Sequence, residues 1–577
     1  MQEMKNKIIL LMVFSLLIGT LSGCQLNQDE TENTQEEEQA IEDKKNVAVE
    51  GGEIILPLTT FETLNPLVTE NNSYYYFSKL IFDGLFQFDS DLNVVPQLAE
   101  SYKLGEDGRN MDIKLHSDIK WHDGEPLTTK DVLFTINAIK FADSNNIYRE
   151  MFQSSVGSYS PSDIRRIVDV KVGDDHNFTL VFDRVFSNNL EVLTFPIVAS
   201  HVFGGLSNAA YAKALEIKDY SPVGTGPFKF EKYDKMKEIS LSANEDFRSK
   251  RPYVDKVIGR VFESEEDIIQ AFETREVTIA TTVGVDWDKY TQEDNTRSID
   301  FVSSSYEFLG FNFAKNVFTQ ESGVAIRKAI TYALDRQSII EKVYLGHGTQ
   351  IDVPIHPDSW LLSDEANQYG YNLEKAKQQL QQAGLTDKNE EGTLIVDGNE
   401  LVLKLLTNTL NPLRLKTANL IKDDLAKIGI KVIISPETDE QREEASKEEI
   451  ESQWEKINRD IMNGNYDMVL SGLQLSAIPD LSFAFHSSQR RAMNFINYTN
   501  PEMDVLLEKS LANRSRDEKK EAYKELQALI VEDVPYSSLL FKNKSLLLDS
   551  KIMGDIDPSF FNPYKGLENA YIPKEMQ

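Results

Sequence analysis

Side chains that could carry catalytic chemistry are few in this 577-residue chain. Its seven histidines form no H-E-x-x-H zinc motif, and no G-x-S-x-G nucleophile turn occurs. On one extended strand His116 and His122 would lie about 20 Å apart, too far to share a metal ion. Gly224-Thr225-Gly226-Pro227 fails the dinucleotide-binding fingerprint because position 229 is lysine, so we expect a tight turn there. The acidic run at 263–267 fits a solvated face, and the residues predict no enzyme, metal centre or cofactor.

The single cysteine, Cys24, follows a segment with the features of a secretory leader. Lys5 and Lys7 give it a positive start, and an apolar stretch at 8–21 leads to small residues. That stretch is shorter than the about 20 residues that span a bilayer. Leu21-Ser22-Gly23-Cys24 resembles the lipobox of bacterial lipoproteins, which implies removal of a signal peptide at 1–23 and lipidation of Cys24. We therefore expect an extracytoplasmic chain anchored to the plasma membrane, or in the periplasm of a double-membrane cell.

Residues 24–51 are predicted to be an acidic, disordered tether. Eight acidic residues between Gln25 and Lys45 face only two lysines, and bulky apolar residues are almost absent. Such a composition cannot offset the entropy lost on ordering. As a flexible coil the segment would reach roughly 30 Å.

The length and charge of the remaining chain limit the number of domains and the kinds of partner that we expect. More than 500 residues predict two or three domains. One cysteine allows no internal disulfide, so burial of apolar side chains must supply the stability. The formal net charge of −32 repels phosphate backbones and anionic lipid, so nucleic acid is not an expected partner.

Patterns in the first half predict short strands and capped helices. Residues 54–56 are an apolar strand ended by Pro57, and 168–172 with 178–182 alternate as a hairpin with one buried face. Thr128 and Asp131 form a capping box before a helical stripe at Val132, Ile136 and Ile139.

The second half predicts an α/β domain with a largely parallel sheet. A helix begins at Asn372 and closes at Gly384. Strands at 401–406 and 430–434 flank a helical stripe at 418–428, which is a β-α-β pattern. A second acidic run at 437–456 carries apolar residues at helical spacing from Ile450 to Ile461, which favours an amphipathic helix over a linker.

Short motifs occur in a fixed order along the chain. They are Leu64-Asn65-Pro66, Asp83-Gly84-Leu85, Pro96-Gln97-Leu98-Ala99-Glu100-Ser101, Trp121-His122-Asp123-Gly124, Pro222-Val223-Gly224-Thr225-Gly226-Pro227-Phe228, Ala325-Ile326-Arg327-Lys328-Ala329-Ile330, Ala333-Leu334-Asp335-Arg336 and Tyr466-Asp467-Met468. This series resembles the family-5 solute-binding proteins of ABC importers, which bind oligopeptides, dipeptides or nickel. The resemblance runs from about Gly52 to the C-terminus.

The resemblance implies an α/β, bilobal, periplasmic-binding-protein-like (type II) fold with an extra subdomain inserted in the first lobe. The first lobe would comprise residues 52–77, 221–304 and a C-terminal return at 541–577. The inserted subdomain would occupy 78–220 and the second lobe 305–540. Ligand would be enclosed as the lobes close, and the closed monomer would dock on permease subunits.

In peptide-binding relatives an aspartate of the second lobe holds the ammonium of the peptide. The ungapped equivalent here is Ser476, in the stretch 472–483. A hydroxyl in that place forgoes a charge-assisted hydrogen bond worth about 1.5–3 kcal/mol. Either Asp480 serves from a shifted register, or the cargo lacks a free amino terminus.

Further candidates for ligand contact are chosen by position in loops of the two lobes. They are Thr60, Phe61, Asn65, Tyr74, Tyr75, Trp287, Trp360 and Gln474. The leading prediction is a lipid-anchored oligopeptide-binding component of an ABC importer. Alternatives are the same fold with a nickel chelate, haem or an oligosaccharide, and a lipoprotein that senses ligand without transport.

Overall fold

The computed structural model describes residues 47–144, 164–216, 220–282, 284–292, 295–437, 446–477, 480–490 and 493–577. Cys24, the predicted signal peptide and most of the predicted tether lie outside these residues. Glu50 and Gly51, the last part of that tether, already lie against the body, since Gly51 N–H donates to Tyr253 O at 2.8 Å. Within the described ranges, no helix combines the length and apolar character needed to cross a membrane.

The strands are numbered in chain order. They are β1 (Glu53–Thr59), β2 (Phe86–Phe88), β3 (Val94–Pro96), β4 (Ala99–Leu104), β5 (Asn110–Leu115), β6 (Ile167–Val172), β7 (Asn177–Phe182), β8 (Phe228–Asp234), β9 (Glu238–Ala243), β10 (Lys256–Phe262), β11 (Ile279–Thr281), β12 (Thr296–Phe311), β13 (Gly348–Gln350), β14 (Ile395–Val396), β15 (Asn399–Glu400), β16 (Val402–Leu406), β17 (Lys431–Ser435), β18 (Met468–Gln474) and β19 (Tyr536–Asp549).

The α-helices are numbered in the same way. They are α1 (Asn72–Ser78), α2 (Thr129–Ser144), α3 (Ser200–Phe203), α4 (Asn208–Lys213), α5 (Glu265–Glu273), α6 (Asn316–Thr319), α7 (Gly323–Ala333), α8 (Arg336–Val343), α9 (Leu373–Gln382), α10 (Pro412–Ala426), α11 (Lys447–Met462), α12 (Ser482–Phe485), α13 (Pro501–Ser510) and α14 (Arg516–Asp533).

The described strands form three larger sheets and two two-stranded pairs, β2-β3 and β14-β15. One has the order β1-β10-β9-β8, a second β4-β5-β7-β6, and a third β11-β19-β12-β18-β16-β17 with β13 beside β19. In the third sheet only β18, β16 and β17 run parallel, because β11, β12 and β19 pair in antiparallel fashion. The prediction of a largely parallel sheet is therefore wrong, although the β-α-β unit at β16-α10-β17 is confirmed.

Two further predictions are corrected by the pairing of strands. β1 does not end at Pro57 but continues to Thr59, which is possible because β1 pairs with β10 alone and needs no second N–H donor there.

The hairpin β6-β7 is confirmed, yet Val168 and Val172 are exposed. They lie on β6, the edge strand of its sheet, and only β7 buries a full apolar face.

The buried apolar residues of the described part fall into three main cores and one small cluster. The large core contains residues between Tyr306 and Phe541. The outer core contains residues between Leu67 and Leu215, joined by Ala477 and Phe561. The terminal core draws on segments 54–82, 228–279 and 546–572, and a small cluster lies beneath α5.

β12 and β19 cross from the terminal core to the large core. Their first stretch pairs Thr296–Val302 with Asn543–Asp549, and their second pairs Tyr306–Gly310 with Tyr536–Phe541. The register shifts between Val302 and Tyr306, so β12 carries a bulge where the strands pass from one core to the other. A bulge bends a strand pair, and this one lies between the two halves of the molecule.

Candidate ligand-binding cleft

A cavity of about 800 Å³ opens above this bulge. One wall comes from the end of β1 and the start of α1, and the opposite wall from Gln474–Ala477 after β18. The floor is formed by Thr281, Thr282, Phe301, Ser303, Ser304, Ser305 and Lys544. A third side is a C-terminal segment that contains Ser559, Phe560, Phe561, Pro563 and Tyr564.

Asn71 fixes the geometry of the first wall. Its side-chain oxygen accepts a hydrogen bond from Tyr74 N at 2.8 Å and so caps α1. Its amide nitrogen donates to Thr59 Oγ1 at 2.8 Å and to Thr60 O at 2.9 Å. The end of β1 and the start of α1 are thereby held together, which places Glu70 and Tyr75 at the cavity.

Gln474 joins the floor to the opposite wall. Its side-chain oxygen accepts from Ser304 Oγ at 2.7 Å, and its amide donates to Ser305 Oγ at 2.7 Å. The backbone N–H of Leu475 donates to Ser304 O at 2.9 Å. Ser304 and Ser305 of the bulge are therefore tied to the end of β18, just before Ser476.

The aromatic side is anchored to α1. Tyr76 OH donates to Phe560 O at 2.9 Å, and the Phe560 ring lies 4.8 Å from the His356 ring. Burial raises the pKa of Tyr76 to about 12 and that of Tyr75 further. Both phenols stay neutral at physiological pH; the Tyr76 hydroxyl is used on Phe560 O, and both rings present aromatic surface at the cleft.

A buried charge cluster braces the strands behind the floor. Glu307 accepts from Lys542 Nζ at 2.7 Å and from Arg414 Nη2 at 3.3 Å. Burial alone would raise the pKa of Glu307, but the two cations outweigh it and hold that pKa below its usual range. The cluster joins β12, β19 and α10 through charges that are satisfied within the protein.

Three of the residues predicted from sequence line the cavity, namely Tyr75, Gln474 and Ser476. Four others lie outside its lining because their side chains are used for packing or local hydrogen bonds. Phe61 stacks on Tyr74 at 4.8 Å within the terminal core, and Asn65 donates to Ala214 O at 2.8 Å. Thr60 is exposed and donates to Phe262 O at 3.4 Å.

The two predicted tryptophans and Asp480 are also outside the lining. Trp287 is buried against the His347 ring at 3.7 Å, and the Arg516 guanidinium lies 3.9 Å from the Trp360 ring. The Asp480 carboxylate accepts from Ser482 N at 2.8 Å. This bond places Asp480 near the start of α12, outside the described lining of the cavity.

No residue of the floor or of the third side was predicted from the sequence. Ser303–Ser305, Lys544 and Phe560–Tyr564 are far apart in the chain, and no local pattern joins them. The one available signal was the serine run inside an otherwise alternating strand, which marks a bulge. Among the described residues, no group of three histidine, cysteine or acidic side chains could hold a metal ion.

Two halves joined by a bent pair of crossing strands, with a polar cleft between them, define a two-lobed solute-binding protein. The chain belongs to the bacterial extracellular solute-binding proteins, family 5, whose model, described as the middle part of that family, matches residues 93–494. The type II binding-protein fold expected from the sequence is confirmed.

Relatives of known function span nearly the whole chain. The oligopeptide-binding protein AppA of Bacillus subtilis is 26% identical over 560 residues, 96% of this chain and 96% of its own. The heme-binding protein A of Haemophilus influenzae is 24% identical over 504 residues, 86% of this chain and 87% of its own.

Solved structures agree with the fold. AppA from Bacillus subtilis, in complex with a nonapeptide, has a TM-score of 0.59 at 26% identity and covers 92% of this chain and 100% of its own. NikZ from Campylobacter jejuni, in complex with Ni(L-His), has a TM-score of 0.61 at 22% identity, with coverage of 90% and 99%.

Proposed function

We propose that this chain captures oligopeptides in the cleft as the binding component of an ABC importer. The observation that carries the proposal is the free strand edge at one wall. β16 accompanies β18 only as far as Val469, so within the described residues the rest of β18 has no strand on that side. An extended peptide can add to such an edge through its backbone.

The size and lining of the cleft support this cargo. A volume of about 800 Å³ falls within the range of roughly 300–1,000 Å³ usual for ligand sites. Serine and threonine side chains dominate the floor, and Asn71, Asn72 and Gln474 add amides at the walls. These groups can pair with peptide groups without requiring one side-chain sequence. The relative AppA, which matches over nearly the whole chain, carries a nonapeptide in its structure.

Closure would bend the molecule at the bulge in β12. The proposed division into a first lobe at 52–77, 221–304 and 541–577, an insert at 78–220 and a second lobe at 305–540 is supported by the terminal, outer and large cores, which draw mainly on these ranges. Near the boundaries, Leu67 and Val68 belong to the outer core, and Leu80, Ile81 and Phe82 belong to the terminal core. Ligand that touches both walls binds the closed form better and shifts the equilibrium towards it. The solute would then be passed unchanged to permease subunits by a monomeric protein that is not an enzyme.

A second candidate is an oligosaccharide. The aromatic side of the cleft, with Tyr76, Phe560 and Tyr564, could stack on sugar rings beside the hydroxyl-rich floor. The described lining contains no histidine, cysteine or methionine, so a haem or metal chelate would have to be held through tyrosine or glutamate oxygens. A purely sensing lipoprotein would lack permease and ATPase genes beside its own.

Mass spectrometry of solutes released from the purified protein tests the proposal. Peptides of several lengths are the expected result, because backbone pairing tolerates many sequences. A single sugar or chelate would support another cargo and contradict peptide capture. Recovery of an added peptide in cleaved form would contradict binding without catalysis.

Anchoring at Cys24 requires its own test. In cells that process lipoproteins, Cys24→Ala should move the protein from the membrane to the soluble extracytoplasmic fraction, because the thioether-linked lipid is lost. Cys24→Ser would serve as a near-isosteric second variant. Membrane retention of both variants would contradict the anchor and leave the peptide proposal intact.

A further inference from the structure

Lys544 brings the one positive charge to the described lining of the cleft. The other charged lining residues are Glu70 and Glu265, both on the side of the terminal core. Lys544 lies on β19 directly opposite Phe301 of β12, one residue pair away from the bulge. Its side chain is half-buried. The ammonium group is thus placed at the floor, where the two lobes meet.

The pairing of Lys544 differs from that of its neighbour two residues earlier. Lys542 is neutralised by Glu307 at 2.7 Å. Around Lys544, no carboxylate of the described residues lies within ion-pairing distance, and no hydrogen bond or ring contact of its side chain is found there. The protein therefore satisfies one lysine of this strand internally and leaves the next one directed at the cleft.

An ammonium group in this position needs a partner once the cleft closes. Closure around a ligand removes water from the floor, and a charge without a partner is costly in such surroundings. A carboxylate is the matching group, since it forms short charge-assisted hydrogen bonds with lysine. The protein as a whole is strongly acidic and repels anions. Within the described lining of the cleft, Lys544 is the one cation that attracts a ligand carboxylate.

We propose that Lys544 is a specificity-determining residue that binds a carboxylate of the ligand at the floor of the cleft. The assignment rests on the proposed capture of peptides. The carboxylate can belong to the C-terminus of a short peptide or to an aspartate or glutamate side chain. A zwitterionic ligand would therefore bind with its carboxylate at the floor, which favours one direction of the ligand in the cleft.

Calorimetry with peptides that differ only in their carboxylates tests the assignment. The probes are alanine peptides of three to nine residues as free acids, the same peptides as C-terminal amides, and amides with one central glutamate. The wild-type chain should bind the acids, or the glutamate-containing amides, about tenfold more tightly than the plain amides. A preference for the free acids would identify the C-terminal carboxylate as the bound group, and a preference for the glutamate-containing amides would identify a side-chain carboxylate.

Variants separate recognition of charge from structural support. Lys544→Gln should abolish the preference and leave the affinity for plain amides nearly unchanged, whereas Lys544→Arg should retain it. Lys237→Gln, at an exposed lysine away from the cleft, is the matched control and should behave as wild type. A merely structural role would weaken all probes equally.

Each failure has a distinct meaning. If acids and amides bind the wild type equally, or if Lys544→Gln keeps the preference, the assignment of Lys544 is wrong while peptide capture stands. If no peptide of the series binds the wild type, peptide capture and the assignment fall together.

Discussion

Lys519 of α14 and Glu191 of the outer core form an ion pair in which both side chains are almost wholly buried, at 4% and 8% exposure. Lys519 Nζ also donates to Asn188 Oδ1 at 2.8 Å, and Ser187 N–H donates to Leu511 O at 3.1 Å. None of these residues lines the cleft. The pair joins the proposed second lobe to the proposed insert, so it exists only when these two parts are together.

Lys519→Met should weaken ligand binding without removing any ligand contact. It leaves Glu191 buried and unpaired in the closed form, which costs about 3–5 kcal/mol, whereas the open form lets water reach that carboxylate. Because this cost falls on the closed form, we expect the affinity for ligand to fall by about 100-fold or more in calorimetry. The radius of gyration in solution scattering should be larger. Lys520→Met, at an exposed neighbour, is the control. If Lys519→Met binds ligand as tightly as the wild type, the ion pair between Lys519 and Glu191 does not stabilise the closed form.

Gly224→Ala should severely destabilise the protein. A Cβ atom at Gly224 would lie 1.8 Å from Ile81 O, so the backbone of one segment must move. We expect a loss of about 3 kcal/mol or more in the free energy of unfolding, measured by urea denaturation. Gly370→Ala is the matched control, since nothing lies within 4 Å of its Cβ. Equal stabilities of the two variants would refute the close approach.

Stability should fall on acidification below about pH 6.5, in part through His122. Its Nε2–H donates to Gly226 O at 3.0 Å while Nδ1 accepts from Gly224 N at 3.3 Å, an arrangement that requires the neutral ring. Burial lowers the pKa of His122 to about 4, below the roughly 6.5 of an unfolded chain. Between these pH values the unfolded chain binds more protons than the folded one. The contribution of neutral His122 to the stability of the folded protein is therefore complete above pH 6.5 and is lost as the pH falls towards 4.

Thermal unfolding of His122→Gln across this range measures the effect. The variant should lose up to about 3 kcal/mol of the pH dependence. A residual slope is expected from His356, whose pKa burial also lowers to about 4. A variant as acid-sensitive as the wild type would contradict the role of His122.

Ser476→Asp should tighten binding of peptides with a free amino terminus. Ser476 lines the wall opposite α1, where a carboxylate could pair with the ligand ammonium. The added charge-assisted hydrogen bond predicts roughly tenfold higher affinity. N-acetylated peptides should bind the variant no better than the wild type. Equal affinities for free peptides would show that the ammonium lies elsewhere.

Local signals in the sequence predicted individual elements well. Asn372 caps α9, and Gly384 follows that helix with a φ of 75°, as their residue types indicated. The exposure of Val168 could not be predicted in the same way, because it depends on which neighbour β6 has in its sheet. Local chemistry decides where elements begin and end, whereas partners distant in sequence decide which face is buried.

The cleft was only partly predictable for the same reason. Ser476 was found through the family resemblance, since its position relative to the motifs is fixed. Lys544 and Phe301 meet only through the register of two strands separated by more than 200 residues. Trp287 and Trp360 were chosen as aromatic residues in irregular stretches, but such stretches can equally pack against the body, as Trp287 does on His347.

The passage of β12 and β19 through both cores has a thermodynamic consequence. Phe541 is buried in the large core, and Leu546 and Leu548 of the same strand are buried in the terminal core. Unfolding of either core breaks hydrogen bonds between β12 and β19, and the same two strands also form part of the other core. Heating should therefore disrupt these two cores together, in a single calorimetric peak, although they belong to the two lobes proposed to move relative to each other.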